Sequence, residues 1–375
     1  MIEFLVSICL LMALIPFCLA LINLVFYRPL PKAQSAQPMA MSVLIPARNE
    51  EARITPVLDA MMRNDGAGPE IIIGDDGSSD ATADIVKQFA KRDPRIRLIA
   101  IDRSDDDGWA GKNLACYQLA KAASHDLLVF VDADVILADD GLERLAGYFA
   151  TRPETALLSG FPRQIMGTFW EAMLIPLIHF LLLGFLPFIG VRFTRHPMFG
   201  TACGQLIAVR REAYFAVDGH RSFKSLLHDG LHLPRNLRAA GYKTDLVDFT
   251  DLAETRMYEN TPDLRAGLKK NAHEAMATPV GLPIWTTILV LGQVLPIILV
   301  VVLLLVDPAG EALTYALVAT ALGFALRGLM ALMFRQPALG VLLHPFGVAA
   351  LLQLQWSALM NRRRGGKVMW KGRQY

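Results

Sequence analysis

The sequence predicts an α/β domain with a mostly parallel sheet, joined to transmembrane and interfacial helices. Between residues 40 and 165, short apolar strands alternate with helical segments, which is the pattern of a parallel sheet. Long uncharged stretches lie on both sides of this region. The composition agrees, because 53% of the 375 residues are hydrophobic and 19% are charged. That is too apolar for a purely soluble domain and too charged for a pure membrane bundle.

Residues 1–30 are predicted to form an N-terminal transmembrane anchor. Residues 4–26 carry no charge over about the length that spans a bilayer, and Arg28 and Lys32 follow them. Positive charge after the span predicts a cytoplasmic continuation. A cleaved signal peptide is the alternative, although it fits less well because the basic start is missing and the apolar run is long.

The α/β domain is predicted at 40–275. Its first four strands are expected at 41–47, 70–74, 96–101 and 126–135, with helices at 50–64, 79–93 and 113–123 between them. Residues 198–250 return to this soluble α/β character after an apolar interruption. Ligands of such sheets bind at the carboxyl ends of the strands, so polar residues at those ends are the site candidates.

The apolar interruption at 169–190 is predicted to be interfacial or re-entrant. A single crossing would place the two halves of the domain on opposite sides of the membrane, and Pro176 and Pro187 break the helix. This membrane-associated insertion either brings a lipid acceptor to the site or serves as a plain anchor. The sequence leaves both interpretations open.

The C-terminal transmembrane region is predicted at 283–360, with apolar stretches at 283–306, 312–334 and 338–360. Three crossings would put the basic tail, 361–375, outside, against the positive-inside rule. One stretch is therefore not expected to cross, and the last is the first suspect because His344-Pro345 interrupts it. Arg327 in the middle stretch is costly unless it faces protein or snorkels.

Composition also excludes several classes of site. The net charge of +2 gives no indication of nucleic acid binding. The four cysteines form no CxxC pair, so neither a disulfide framework nor a zinc site is predicted. A dinucleotide oxidoreductase is disfavoured because no GxGxxG follows the first strand.

Polar clusters follow strands or open a helix at four places, namely 46–50, 75–80, 108–113 and 132–134. Each alone has an ordinary reading as a helix cap, a turn or a chance DxD. All four together, in order on one edge of one sheet, predict a ligand pocket.

The side chains of these clusters suit different groups of one ligand. Asp132 and Asp134 can turn two carboxylates toward one hard cation, Mg²⁺ or Mn²⁺, which neutralises a diphosphate. An aspartate at 75 or 76 can accept a hydrogen bond from a base N–H. Lys112, near a helix N-terminus, can meet phosphate oxygens. The pattern therefore predicts a nucleotide–diphosphate site.

With "SVLIPARNEEARI", "IIIGDDGSSDAT" and "VFVDADV", the sequence resembles the membrane-bound family 2 inverting glycosyltransferases of GT-A fold, a Rossmann-like fold with a mostly parallel sheet. The resemblance runs from Ser42 to about Asn271. "GWAGKNLACYQLA", "GQLIAVRREAYFAVDGH", "ETRMYEN" with "GLKKN", and "WKGRQY" are similar to the branch that glycosylates carotenoids and to the hopanoid-associated transferases.

The resemblance implies a role for each matching residue. The catalytic base would be Asp229, in "HDGLHLPRNLRAAGY", with His228 where the family usually has Glu. His228 is either a tolerated neighbour or a residue that tunes Asp229 or contacts the acceptor. The family's Gln-x-x-Arg-Trp is absent, which favours transfer of a single sugar. The other implied positions are Pro46, Arg48, Glu50 and Asp76 in the nucleoside pocket, Lys112 at the diphosphate, Asp132 and Asp134 at the nucleotide and metal, and Arg256 and Tyr258 as a diphosphate clamp.

The expected function is transfer of one sugar from a nucleotide-sugar donor, with a UDP-sugar favoured, to a lipid hydroxyl. A carotenoid- or hopanoid-type polyisoprenoid is the first choice of acceptor, and diacylglycerol, ceramide and polyprenyl phosphate stay open. The protein is expected in the cell (inner) membrane as a multi-pass chain with its catalytic domain and C-terminus cytoplasmic. The alternatives are an inactive membrane scaffold, motivated by His228, and a haloacid-dehalogenase-type phosphatase, because "VFVDADVIL" fits the opening of that class.

Overall fold

The structure is a computed structural model that describes residues 2–32, 39–66, 68–104, 108–272, 276–364, 369–370 and 373–374. The chain divides into two compact units. The sheet unit comprises Phe26–Ile165 and Phe188–Arg256, and the helical unit comprises Met1–Val25, Met166–Pro187 and Met257–Tyr375. Part of the predicted basic tail, residues 365–368, 371, 372 and 375, lies outside the described residues.

A mixed sheet forms the centre of the sheet unit. In the described chain it has eight strands in the order β3-β2-β1-β4-β7-β6-β8-β5. The pairs β1–β2, β2–β3, β1–β4 and β6–β8 are parallel, and β4–β7, β6–β7 and β5–β8 are antiparallel. The prediction of a mostly parallel sheet is confirmed. The strands are β1 (Met41–Ala47), β2 (Glu70–Asp75), β3 (Ile96–Ala100), β4 (Leu127–Val131), β5 (Val135–Leu137), β6 (Thr155–Gln164), β7 (Leu206–Arg210) and β8 (Lys243–Thr255).

Helices cover the sheet and make up most of the helical unit. They are α1 (Ile2–Phe26), α2 (Ile54–Arg63), α3 (Thr82–Arg92), α4 (Gly111–Ala122), α5 (Gly141–Thr151), α6 (Phe169–Leu174), α7 (Leu177–Phe185), α8 (Phe188–Phe193), α9 (Arg211–Ala216), α10 (Asp229–Ala239), α11 (Thr261–Ala272), α12 (Gly281–Leu289), α13 (Leu295–Val306), α14 (Glu311–Met333), α15 (Leu339–Leu342) and α16 (His344–Arg363).

The central strands are buried on both faces, which explains their continuous apolar runs. Successive residues of β1 point to opposite faces. Val43 and Ile45 join a core with α2 and α5, whereas Leu44 joins a second core with α4 and α10. Because β1, β2 and β4 are parallel, their carboxyl ends meet at one edge of the sheet. The polar loops after these strands are therefore brought together.

The predicted strand at 126–135 is two strands, and the prediction of one was wrong. Asp132 and Asp134 lie in a turn between β4 and β5, closed by a hydrogen bond from the Val135 N–H to the Asp132 carbonyl at 3.0 Å. The two strands pair with different neighbours, β4 with β1 and β7, and β5 with β8. The turn places both aspartates, each half-buried, directly after β4.

Three helical segments of the described chain are long and apolar enough to cross a membrane, namely Ile2–Phe26, Gly281–Val306 and Glu311–Met333. The second includes a π-helical segment, Val290–Val294, between α12 and α13. Helix α16, which covers most of the predicted stretch 338–360, is not among the three. The predicted domain limits 40–275 extend beyond the sheet unit, which ends at Arg256.

The apolar segment at 169–190 is a series of short helices. Helices α6, α7 and α8 are separated at Pro176 and Pro187, the two prolines on which the prediction of a broken segment rested. Within the helical unit, Asn23 of α1 donates to the carbonyls of Leu183 and Leu186, both at 2.7 Å. These bonds satisfy the end of α7 with a buried amide.

Candidate active site

Asp76 lies at the carboxyl edge of the sheet between two arginines. Its backbone N–H donates to the carbonyl of Ala47, the last residue of β1, at 2.9 Å. Arg103 Nε donates to Asp76 Oδ1 at 2.6 Å, and Arg48 Nη1 lies 3.9 Å from Oδ2. The Asp76 side chain is only 7% exposed. The contacts with two guanidinium groups hold the buried Asp76 carboxylate in one orientation.

Asp75, by contrast, stabilises the turn that precedes α3. Its Oδ1 accepts a hydrogen bond from the Ser78 N–H at 3.2 Å, across Gly77, whose φ of 69° a side chain would disfavour. Asn49 stabilises the same turn. Its side-chain Oδ1 accepts a hydrogen bond from the Ser79 N–H at 2.8 Å, and its backbone N–H donates to Ser78 Oγ at 3.0 Å. Of the two aspartates that the sequence left open, Asp76 is therefore the candidate for base recognition.

Pro46 and Glu50 border the same edge. Pro46 lies opposite Gly74 in the β1–β2 pair. Glu50 is buried, with its backbone N–H bound to Thr82 Oγ1 at 2.8 Å and its Oε2 3.6 Å from Arg53 Nη1. These contacts fix the loop after β1, and a direct role for Glu50 in the nucleoside pocket stays a prediction.

Lys112 connects the acid after β4 to the predicted base. Its Nζ lies 2.7 Å from Asp132 Oδ1 and 2.9 Å from Asp229 Oδ2, and it donates to the Gly204 carbonyl at 2.8 Å. Lys112 is the second residue of α4, and Asp229 is the first residue of α10. Residues far apart in sequence are thus gathered within a few ångströms. The Lys112 side chain is still 33% exposed, so the cluster is open to a ligand.

Two glycines allow the 202–204 turn to pack against the start of α10, where the Asp229 carboxylate lies. A Cβ at Gly204 would lie 3.0 Å from Asp229 Oδ2 and still nearer to Oδ1, which real side chains do not allow. A Cβ at Gly230 would overlap the carbonyl of Ala202. The Ala202 N–H also donates to the Gly230 carbonyl at 2.7 Å, so the 202–204 turn packs directly on the start of α10.

Electrostatic interactions between Lys112 and the carboxylates of Asp132 and Asp229 favour the charged forms of Lys112 and Asp229. Burial would raise the pKa of Asp229, but the Lys112 ammonium opposes it and holds that pKa well below its ordinary value, with smaller effects from His220 and His228. Burial would likewise lower the pKa of Lys112, but Asp132 and Asp229 raise it well above its ordinary value. Burial lowers the pKa of His220 to about 4. Its Nδ1 lies 2.8 Å from the Tyr214 hydroxyl.

The Asp132-Ala133-Asp134 turn offers two carboxylates for a cation. Within the described residues no group of three or more acidic, histidine or cysteine side chains could enclose a metal ion. Two carboxylates at an open edge still fit Mg²⁺ or Mn²⁺, which commonly takes one or two protein carboxylates together with phosphate oxygens. The residues present therefore suit a cation that arrives with a diphosphate, rather than one held in a closed protein cage.

The two predicted clamp residues fall in different units. Arg256 follows Thr255, which lies opposite Val135 in the β5–β8 pair, so the register brings Arg256 next to Asp134. Tyr258 belongs to the helical unit, where it is buried and a Cβ at Gly267 would overlap its ring. The clamp stays a prediction for both.

Several residues at this edge were not predicted from the sequence. Arg103 follows β3 and lies at the same edge of the sheet as the predicted clusters. The expectation that site residues follow the carboxyl ends of strands could therefore have identified it. Gly204 and Gln205 precede β7, and the Gln205 carbonyl accepts from the Asp132 N–H at 2.9 Å. His220 is buried beside Tyr214. Gly204 and Gln205 begin the stretch "GQLIAVRREAYFAVDGH" and His220 ends it, and no residue of this stretch was assigned a role from its motif.

Comparison with protein families identifies one match. Residues 42–215 match the family described as "Glycosyl transferase family 2". This range contains the loops after β1, β2 and β4 and the start of α4, which confirms the resemblance read from the motifs.

Relatives and solved structures point the same way. The chain is 28% identical over 237 residues to 4,4'-diaponeurosporenoate glycosyltransferase of Staphylococcus aureus (strain USA300), a match that covers 62% of this chain and 60% of the relative's length. The mannosyltransferase PcManGT from Pyrobaculum calidifontis, solved in complex with GDP-Man and Mn²⁺, is similar in fold with a TM-score of 0.55. That match covers 95% of this chain and 99% of the other, at 18% identity. The expected GT-A-like fold is therefore confirmed.

Proposed function

We propose that this protein, which carries a glycosyl transferase family 2 domain at residues 42–215, transfers one sugar from a nucleotide-diphosphate sugar to the hydroxyl of a membrane lipid. The observation that carries the proposal is the bridge that Lys112 makes between Asp132 and Asp229 at 2.7 and 2.9 Å. The bridge joins the three residues to which the proposal gives these roles, namely Asp132 as the donor-side carboxylate, Lys112 as the phosphate-binding cation and Asp229 as the general base. Configuration at the anomeric carbon inverts, because a single displacement needs no enzyme nucleophile.

The nucleoside of the donor binds at the edge formed by the loops after β1, β2 and β3. Asp76, held by Arg48 and Arg103, accepts a hydrogen bond from a base N–H, and the guanidinium groups add positive charge near the phosphates. A UDP-sugar is the favoured donor. The structural neighbour bound to GDP-Man makes a GDP-sugar the alternative to test.

Asp229 serves as the general base. In the structure the Lys112 ammonium lowers its basicity, so Asp229 stays ionised but is a weak proton acceptor. A diphosphate within reach of Lys112 competes for that ammonium, and the Asp229 carboxylate regains basicity as the contact weakens. Asp229 then accepts the proton of the acceptor hydroxyl as the oxygen attacks the anomeric carbon. Lys112 stabilises the departing nucleoside diphosphate.

Asp132 and Asp134 would hold a Mg²⁺ or Mn²⁺ ion together with the diphosphate. When bound, such an ion neutralises charge on the leaving group. The open turn and the two alternate carboxylates support this assignment. Arg256, next to Asp134 in the β5–β8 register, adds a further cation on the leaving-group side.

The acceptor is a lipid, and a carotenoid- or hopanoid-type polyisoprenoid is the first choice. The relative named for 4,4'-diaponeurosporenoate supports a polyisoprenoid. The three candidate membrane spans support a protein that works at the bilayer. With the N-terminus outside, three crossings leave both the sheet unit and the basic tail cytoplasmic, in agreement with the positive-inside rule. The cell membrane is the proposed location.

Donor binding is the test of this proposal. Detergent-purified protein is heated with UDP, GDP and their sugars, with Mn²⁺, Mg²⁺ or EDTA, since a ligand of the folded state raises the thermal midpoint. Asp134→Ala should lose the metal-dependent shift. The control Asp139→Ala, an exposed acid paired with Arg63, should keep it.

A midpoint that rises with one nucleotide and a divalent cation supports the proposal and fixes the donor class. Folded protein that shifts with no nucleotide contradicts it and favours the inactive scaffold. In that case His228→Glu, which restores the residue usual in the resembling family, is the first change to make.

A further inference from the structure

Arg327 is a buried cation inside a candidate membrane span. It lies on α14, and its side chain has no exposed surface. At 1.5 Å per residue it is about 9 Å from the end of the helix at Met333, well within the apolar segment. A charged group in this position is costly unless another group compensates it, so its partners decide what it does.

One edge of the guanidinium is occupied by neutral side chains. Arg327 Nη1 donates to Gln336 Oε1 at 3.1 Å. Gln336 Nε2 lies 3.3 Å from His179 Nδ1, and His179 stacks on Phe334 with ring centroids 4.2 Å apart. These contacts of Gln336, His179 and Phe334 orient the guanidinium but supply no negative charge.

The other edge has no partner. Arg327 Nε and Nη2 are buried and make no hydrogen bond to any described residue, and no acidic side chain among the described residues pairs with Arg327. Nε and Nη2 are the two nitrogens whose N–H bonds run side by side. That fork matches two oxygens of a carboxylate or a phosphate.

The surroundings of this fork favour a lipid as the source of the oxygens. A Cβ built at Gly340 would lie 3.5 Å from Nη2, so this glycine brings the backbone of α15, and no side chain, close to that nitrogen. Leu342 on the same short helix and Phe346 at the start of α16 are 70% and 67% exposed. Exposed apolar side chains two and six residues after Gly340 fit the acyl or isoprenoid part of a lipid whose anionic group reaches the arginine.

We propose that Arg327 binds the oxyanion, a carboxylate or a phosphodiester, of a membrane lipid. The site lies wholly within the helical unit, and its occupation does not depend on the proposed sugar transfer. Two lipid sources share this chemistry, a phospholipid and an acidic isoprenoid, and the probes separate them.

The test measures the thermal midpoint of the full chain in mild detergent with added lipid. The probes are phosphatidylglycerol and a C20 isoprenoid carboxylic acid, with phosphatidylcholine, the matching C20 alcohol and inorganic phosphate as comparisons. An anionic lipid should raise the midpoint of the wild type by about 4 °C or more at saturation, and the alcohol should not. Arg327→Met should abolish the shift, and Arg327→Lys, which keeps the charge without the fork, should retain less than half of it.

Arg335→Met is the matched control, because Arg335 is an exposed arginine just beyond the same helix. It should keep most of the shift, which separates a specific site from general surface charge. A shift with phosphatidylglycerol alone assigns a phospholipid, and a shift with the acid alone assigns an isoprenoid carboxylate. An equal response to inorganic phosphate, or a full shift in Arg327→Met, overturns the proposal.

Should Arg327→Met fail to fold, native mass spectrometry of the wild type decides. After exchange into a delipidating detergent, the protein should retain one anionic lipid in preference to phosphatidylcholine. Folded wild type that retains none, and that shows no shift, overturns the proposal.

Discussion

The ammonium of Lys112 lies 2.9 Å from Asp229 Oδ2, so the candidate base is neutralised by the residue that is placed to meet the donor phosphates. The same Nζ contacts Asp132 at 2.7 Å. One cation therefore contacts both the proposed donor-side acid and the proposed base. Lys112 therefore has two proposed tasks, which are to hold Asp229 ionised before the donor binds and to stabilise the diphosphate as it leaves.

Lys112→Met should weaken donor binding. Loss of one charge-assisted contact to phosphate corresponds to about 2 kcal/mol, or a rise in Kd of about 30-fold. Titration of the thermal midpoint with the nucleoside diphosphate gives that Kd. Lys121→Met, at the far end of the same helix, is the control and should leave the Kd unchanged. Equal affinity of Lys112→Met and wild type would remove Lys112 from the donor site.

Gly204→Ala should impair transfer more than donor binding. The added Cβ would press on the Asp229 carboxylate, and a base displaced by about 1 Å loses on the order of 100-fold in turnover. The kcat and the donor KM are measured separately. Gly147→Ala is the control, because a Cβ there meets nothing within 4 Å and α5 gains helix propensity. Unchanged kcat in a folded Gly204→Ala protein would contradict the proposed position of the base.

Arg238 should be a structural anchor of α10. It is buried, and it donates to the carbonyls of His196 at 3.0 Å, Gly190 at 3.1 Å and Val191 at 3.3 Å. Arg238→Met removes these hydrogen bonds from a buried site and should cost about 3 kcal/mol. The thermal midpoint should fall by several degrees, whereas the exposed Arg235→Met should leave it within about one degree. Equal midpoints for the two variants would rule out the anchoring role.

Glu70 should make the sheet unit sensitive to acid. Although burial would raise its pKa, hydrogen bonds from Ser42, Ser124 and Arg97 lower it from 4.5 to about 2. Because the folded pKa lies below the unfolded one, the stabilisation of about 3 kcal/mol is present above pH 4.5 and is lost as the pH falls toward 2.

Glu70→Gln should therefore lower the thermal midpoint at pH 7. The difference in midpoint between the variant and the wild type should narrow steadily below pH 4.5. Glu143→Gln, at an exposed glutamate of α5, should show no such gap. A gap of constant size from pH 7 to pH 3 would show that the carboxylate charge of Glu70 is not what stabilises the fold.

The sheet edge was predictable from the sequence because strand ends carry a local signal. The strands that end at Ala47, Asp75 and Val131 each carry an apolar run that passes into polar residues, and parallel pairing then forces these ends together. The positions of Asp76 and Asp132, directly after β2 and β4, follow from that rule.

The long-range contacts were not predictable in this way. Nothing local to Lys112 indicates that its ammonium reaches a helix that begins at Asp229, because the contact depends on how α4 and α10 pack on one face of the sheet. The role of Gly204 likewise emerges only from the fold, since the carboxylate it accommodates is 25 residues away in sequence. The split of the fourth predicted strand was missed because Ala133 and Val135 continue its apolar pattern.

Sugar transfer itself is the most direct test of the account. Wild type and Asp229→Asn are incubated in lipid with labelled nucleotide sugar, Mn²⁺ and a hydroxylated polyisoprenoid, and label extracted into organic solvent is counted. The wild type should form a labelled lipid with inverted anomeric configuration. Asp229→Asn should form it at least 100-fold more slowly while its donor-dependent thermal shift stays intact. Equal product from Asp229→Asn, or a product with retained configuration, would contradict the account.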